Sequence, residues 1–224
     1  MTYHAIAIDG PSGAGKSTVA RALAAELQFI YIDTGAMYRA IGVYAAGKGI
    51  DTKDWDAVPT VLPEIKLELC FVNGTQHILV NGTDVSGAIR TENASMYASN
   101  VSAIPAVRAF LLDFQRSFSK SNHVIMDGRD IGTVVLPDAD LKIFLTASVD
   151  ARAKRRFTEQ VAKGEPVTFD QVMEALKKRD LQDSTRAAAP LKPADDAILV
   201  DSTEMDFQQT VAHIRELVRV KLGV

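Results

Sequence analysis

The sequence predicts an α/β fold: a doubly wound, five-stranded parallel sheet forming a P-loop core, interrupted by two insertions. Three observations predict it. A Gly-rich phosphate-binding motif follows an apolar run near the start of the chain. Apolar runs then alternate with helical patterns along most of the 224 residues. Two segments break that alternation, each in its own way. Strands separated by helices imply a parallel sheet with right-handed crossovers, and ligands of such sheets bind beyond the carboxyl ends of the strands.

The first element is Ala5–Ile8, an apolar run that reads as a buried strand. It leads into Gly10-Pro11-Ser12-Gly13-Ala14-Gly15-Lys16-Ser17-Thr18, which satisfies G-x-x-x-x-G-K-[ST]. Glycines at 10, 13 and 15 let the backbone turn and aim its N–H groups at phosphate oxygens. Val19, Ala20, Leu23, Ala24 and Leu27 then follow with helical spacing, adding a positive helix end at the same point. Lys16 is placed to reach the β- and γ-phosphates, and Ser17 to offer a hydroxyl to Mg2+. The motif therefore predicts binding of a nucleoside triphosphate.

Four more apolar runs read as strands: Phe29–Asp33, Val124–Asp127, Lys142–Thr146 and Ala197–Asp201. Between and after them, Val107, Leu111, Phe114 and Phe118 recur with a helical period, as do Phe207, Val211, Ile214 and Val218. Three strands end in an aspartate, at Asp9, Asp33 and Asp127, on the rim where ligand chemistry is expected. The first insertion, Lys66–Val85, alternates Leu67, Leu69 and Phe71 and carries Asn-Gly pairs at 73–74 and 81–82. These are hairpin signals and predict a small antiparallel sheet. The second runs from Asp150 to about Leu191: helix, a Gly164-Glu165-Pro166 break, then helix. Its start, Arg152-Ala-Lys-Arg-Arg156, holds four basic residues in five and reads as part of a mobile lid. Arg152 and Arg155 are candidates for contact with the nucleotide base or phosphates. The expected division is core 1–38, insert 39–100, core 101–149, lid 150–188 and core 189–224.

Composition narrows the function. A net charge of -3 gives no nucleic-acid footprint, so phosphate neutralisation must come from local arginines. No apolar stretch approaches the length of a membrane span. Cys70 is the one cysteine, which excludes an intramolecular disulfide and a cysteine-rich zinc site. Met1–His4 leads straight into the first strand and leaves no room for a signal peptide; a cytoplasmic enzyme is expected. The chain lacks N-K-x-D, which disfavours a GTPase, and L-S-G-G-Q, which disfavours a transporter-type ATPase. It carries Asp33-Thr34-Gly35-Ala36-Met37-Tyr38-Arg39, Asp127-Gly128-Arg129-Asp130, and Arg179-Asp-Leu-Gln-Asp183-Ser-Thr-Arg186. On a helix, positions 179, 183 and 186 share one face. Two guanidiniums brought down on a phosphate by a lid would neutralise and orient it for phosphoryl transfer.

These segments resemble the bacterial cytidylate kinases, of the nucleoside monophosphate kinase group. The likeness runs nearly end to end, through 8–18, 32–39, 84–91, 127–135, 142–148, 179–186 and 189–191. The resemblance implies transfer of the ATP γ-phosphoryl group to CMP or dCMP, with Mg2+, in a monomer without nucleic-acid or membrane partners. It implies Arg39, Arg129 and Arg186 as a phosphate and transition-state clamp around Lys16, and Arg179 and Asp183 as ribose ligands. It implies Ser99, Arg108 and Asp130 as cytosine readers, with Thr34 beside them. Threonine at 34 is a mild departure, since the family has serine there as often. A carboxylate can accept from the exocyclic amine of cytosine, and an arginine can donate to its N3 and O2. Either Asp33 or Asp127 is placed to hold the Mg2+ shell through water. The alternatives are another small-molecule P-loop kinase of adenylate or uridylate type, the adenylate type being disfavoured by the insert at 66–85, and a non-catalytic nucleotide sensor.

Overall fold

The computed structural model describes residues 3–72 and 74–224. The chain runs β1 (Ala5–Asp9), α1 (Lys16–Leu27), β2 (Ile30–Asp33), α2 (Thr34–Gly47), a one-turn α3 (Ala57–Thr60), β3 (Leu67–Val72), β4 (Thr75–Val80), β5 (Thr83–Asp84) and α4 (Glu92–Val101). It continues with α5 (Pro105–Ser119), β6 (Val124–Gly128), β7 (Leu141–Thr146), α6 (Val149–Ala162), α7 (Phe169–Thr185), β8 (Ile198–Asp201) and α8 (Phe207–Leu222). The main sheet has order β2-β6-β1-β7-β8, and every pairing in it is parallel. The predicted architecture is the observed one, and each of the five core strands falls within one residue of its expected bounds.

Both faces of this sheet are covered, so its strands read as continuous apolar runs. Successive side chains point to opposite faces. Ile6, Ile8, Tyr31, Ile125, Ile143, Leu145 and Val200 therefore pack with Val19, Leu23, Val211, Ile214 and Val218 of α1 and α8. Ala7, Ile32, Val124 and Met126 pack on the other side with Met37, Ile41, Val107 and Leu111 of α2 and α5. Phe207, the first member of the α8 pattern, is exposed instead and borders the cleft described below.

The insertion forms the expected antiparallel sheet, in the order β3-β4-β5. Asn81 and Gly82 both take positive φ, 53° and 78°, as the two-residue hairpin turn requires. The expected turn at 73–74 includes Asn73, which lies outside the described residues. Ile78 and Val80 of β4 join the same buried cluster as Met37 and Ile41, so this sheet shares a core with α2. The α6–α7 hairpin differs. Ala153, Val172 and Leu176 form a separate buried cluster, with Val149, Phe157, Val167, Phe169 and Met173 around it.

Candidate functional site

The carboxyl ends of β1, β2 and β6 open into one continuous cleft of about 620 Å3, walled by the P-loop, α2, α4, α6 and α7. Its donor-facing end is built from backbone. Gly10 has φ of 146°, and a Cβ there would lie 1.9 Å from the carbonyl oxygen of Leu145; only glycine lets the loop run this close to β7. Gly15 is the left-handed N-cap of α1, and no side chain among the described residues caps that helix. By contrast α2, α4, α6, α7 and α8 are each capped by a side-chain oxygen. The first N–H groups of α1 are thus left for an anion.

Residues 12–18 line this end. Gly10 lies behind them against β7, and the carbonyl of Pro11 accepts from Lys16 Nζ at 2.7 Å. Burial, followed by the nearby Arg129 guanidinium, holds the Lys16 ammonium well below its ordinary pKa. An anion placed beside it would reverse that.

The next group is acidic. Ser17 Oγ donates to Asp127 Oδ2 at 2.8 Å, and Tyr31 donates to Asp127 Oδ1 at 2.9 Å. Burial and the neighbouring Asp33 push the Asp127 carboxyl upward. Thr34 Oγ1 donates to the Asp127 carbonyl at 2.8 Å. Asp33 is engaged elsewhere. One oxygen caps α2 through the Ala36 N–H at 2.9 Å, and the other pairs with Arg39 at 2.8 Å. Of the two aspartates named for the Mg2+ shell, Asp127 is the one that touches Ser17. A serine hydroxyl and a carboxylate are hard oxygen donors and fit Mg2+, which keeps several waters and binds through few protein ligands plus phosphates. Among the described residues no cluster of three or more His, Cys, Asp or Glu residues could hold a metal by itself.

The third strand-end aspartate departs from expectation. Asp9 is buried, and its two oxygens accept from the N–H groups of Ile131 and Gly132 at 2.8 and 2.7 Å. It anchors the π-helical turn Ile131–Val135 rather than facing ligand. Burial raises its pKa from 3.8 to about 6, against the pull of those two N–H groups.

At the far end the walls are side chains drawn from distant segments. Buried Asp130 lies between two arginines. It pairs with Arg108 and, at 3.4 Å, with Arg186. Burial raises the Asp130 carboxyl despite both guanidiniums, and burial likewise lowers Arg186. Arg108 also sits 5.7 Å over the Tyr38 ring and donates to the Ser102 carbonyl. Between this group and Lys16, Arg129 Nε pairs with Asp183 at 2.8 Å, and Arg179 lies 3.9 Å from the same carboxylate. Burial would raise Asp183, but the charges of Arg129 and Arg179 outweigh it and hold it low. Burial and Arg129 bring Arg179 down to about 10, and its Nε finds no hydrogen-bond partner among the described residues. The cleft therefore gathers Lys16, Thr34, Arg39, Arg108, Arg129, Asp130, Arg179, Asp183 and Arg186.

Such a cleft, phosphate-binding loop at one end and paired arginines at the other, can hold two phosphorylated molecules head to head. The family model for cytidylate kinase matches residues 6–220. The chain belongs to the cytidylate kinase family. Cytidylate kinase of Caldicellulosiruptor saccharolyticus is 48% identical over 218 residues, covering 97% of this chain and 96% of that one. Cytidylate kinase of Shouchella clausii is 49% identical over 214 residues, covering 96% and 95%. In fold alone, the chain resembles the crystal structure of an uncharacterized protein from Eubacterium ventriosum, at TM-score 0.51 and 15% identity, over 98% of this chain and 99% of that one.

Within this family member, several contacts escaped the sequence reading. Ser95 and Ala98 of α4, with Ser102 just beyond it, border the cleft. Ser99, named as a cytosine reader, is not among the described residues that line the cleft; it is buried, and its hydroxyl has no partner among the described residues. Positions 95, 98 and 102 are spaced as one helix face, a signal available in the sequence. Of the two arginines named for nucleotide contact, Arg155 borders the cleft and Arg152 is not among the described residues lining it; both bond to protein. Arg152 donates to the carbonyls of Ala147 and Ser12, at 2.9 and 3.0 Å, and pairs with Asp180 at 2.7 Å. Arg155 donates to Ser202 and to the Met205 carbonyl.

Proposed function

We propose that this protein transfers the γ-phosphoryl group of ATP to CMP or dCMP, giving ADP and CDP or dCDP, with Mg2+. One observation carries the choice of acceptor: buried Asp130 held between Arg108 and Arg186 in the wall of the cleft. A carboxylate accepts from the amine of cytosine, and an arginine donates to N3 and O2. Uracil reverses the pattern at N3 and C4 and would leave buried groups unpaired, at about 1–3 kcal/mol each.

In this reading the P-loop amides and Lys16 hold the triphosphate. Ser17 and Asp127 would hold Mg2+, which when bound neutralises phosphate charge. Arg39, Arg129 and Arg186 clamp the acceptor phosphate, and Arg179 and Asp183 hold the ribose. An oxygen of the CMP phosphate forms a bond to the γ-phosphorus as the bond to the β,γ-bridging oxygen breaks, and ADP leaves. The acceptor is already ionised, so positioning and charge neutralisation suffice without a strong base. The arginines now face carboxylates: Arg39 with Asp33, Arg129 with Asp183, Arg186 with Asp130. Acceptor binding would draw them onto the phosphate. Residues 150–188 act as the lid, and their separate apolar cluster supports movement as a unit. Residues 39–100 form the acceptor-binding insert on the core of 1–38, 101–149 and 189–224. The enzyme works on free nucleotides as a cytoplasmic monomer, and among the described residues no helix is long and apolar enough to cross a membrane.

The test is a coupled ADP-release assay with Mg-ATP against CMP, dCMP, UMP, AMP and GMP. Rapid turnover with CMP and dCMP is expected. Turnover centred on another monophosphate would discard the base-site assignment, and none with any would discard the kinase reading.

A further inference from the structure

The inserted sheet reaches the edge of the main sheet beside the site. β2 is the edge strand of the main sheet, and Asp33 is its last residue. Beyond that edge stands Gln76 of β4, whose side-chain amide behaves as a short piece of neighbouring strand. Its Oε1 accepts from the Asp33 N–H at 2.9 Å, and its Nε2 donates to the Asp33 carbonyl at 3.3 Å. The partners are 43 residues apart in sequence. Both backbone groups of the residue at the rim are thereby fixed, where an edge strand would leave them to water.

Asp33 passes that restraint on. Its carboxylate caps α2 at Ala36 and pairs with Arg39 at 2.8 Å, and Arg39 lines the cleft. The anchor behind Gln76 is firm. Two residues along β4, Ile78 is fully buried against the core it shares with α2, and its N–H donates to Ser86. His77, between them, pairs with Asp84 at 2.8 Å. A shift of Asp33 would carry with it the carboxylate that the Arg39 guanidinium pairs with, and phosphate contacts are sensitive to misplacement of about an ångström.

We propose that Gln76 is a positioning residue for the acceptor phosphate: its amide locks the Asp33 backbone, and Asp33 aims Arg39 into the cleft. The inference rests on the functional reading given above for the identity of the acceptor, but not for the coupling itself. It gives the inserted sheet a role in the site beyond covering one face of α2.

The test compares wild type with Gln76→Ala and Gln76→Glu. The glutamate keeps an acceptor for the Asp33 N–H but sets an oxygen against its carbonyl, so both variants are expected to act in the same direction. Each is measured for KM of CMP and of ATP, for CMP affinity by calorimetry, and for thermal midpoint. The expected result is a KM and Kd for CMP raised about tenfold, equivalent to about 1.4 kcal/mol, with the KM for ATP within about twofold of wild type. In an Arg39→Ala background the Gln76→Ala change should alter CMP affinity no further, because the two substitutions break one chain of contacts. A second readout needs no substrate: the side-chain NMR resonances of Arg39 should shift in Gln76→Glu and Gln76→Ala. Equal weakening of ATP and CMP, full additivity with Arg39→Ala, or unchanged Arg39 resonances would each overturn the proposal. If Gln76→Ala is too unstable to purify, Gln76→Glu is judged by the same criteria. Failure of wild type to take CMP would count against the acceptor assignment alone, since the Arg39 resonances still decide the coupling.

Discussion

The two ends of the cleft are built on opposite plans. The P-loop end is one contiguous stretch, residues 10–18, whose donors are backbone N–H groups on an uncapped helix. The far end takes side chains from α2, α5, α7 and the turn after β6, and pairs nearly every arginine with a carboxylate. The first plan is rigid and needs no partner in waiting; the second keeps its charges neutralised until a substrate exchanges with them. The difference teaches where sensitivity lies. Backbone geometry is the weak point at one end, and single side chains are at the other.

The sharpest way to break the comparison is at Gly10. A Cβ there meets the Leu145 carbonyl at 1.9 Å, in a conformation with φ of 146°. Gly10→Ala must move the loop, so ATP binding is expected to fall below detection in calorimetry while far-UV circular dichroism stays native. Retained ATP affinity would mean that the loop is not set by this contact.

At the far end, Arg186→Ala is expected to lower kcat by at least ~100-fold, as for other preorganised transition-state donors. Steady-state assays with saturating CMP and ATP measure it, and an unchanged kcat would remove Arg186 from the chemistry. A narrower effect is expected from Asp130→Ala. It should reduce the CMP-over-UMP ratio of kcat/KM by about tenfold or more, for one lost buried hydrogen bond of about 1–3 kcal/mol, and leave the KM for ATP nearly unchanged. If ATP suffered instead, Asp130 would not be reading the base.

The same contrast explains what was legible in the sequence. The P-loop and five strands could be read closely because motif and period are local properties. Asp130, Arg179, Asp183 and Arg186 were found through short motifs, and the structure brings them to one place. Gln76 and the Arg152 link to Ser12 left no local trace, since each depends on a partner far away in the chain. α4 was missed although Ala94, Ala98 and Val101 recur at helical spacing and are buried; its length of 10 residues gives a weak pattern. Asp33 and Asp127 could not be told apart by position, because they pair in register at adjacent strand ends. Only their hydrogen bonds separate them.

The smallest expected effect tests the backbone that joins the two ends. Asp9 sits at the end of β1, before the P-loop, and holds the turn that follows Asp130. Burial raises its pKa from 3.8 to about 6, although two N–H groups favour the charged form. A carboxyl whose folded pKa is raised favours folding most below its unfolded value. That contribution is full below about 3.8 and is lost as pH rises through about 6. Between pH 7 and pH 5 it should therefore return about 1 kcal/mol to the folded state. Urea unfolding at the two pH values, against Asp9→Asn, isolates the term: the wild type should gain on the variant at pH 5. NMR titration of the Asp9 carboxyl carbon should give a midpoint near 6. A midpoint below 4 would mean that the Ile131 and Gly132 donors outweigh burial, and that the link between the two ends is held by a permanent charge.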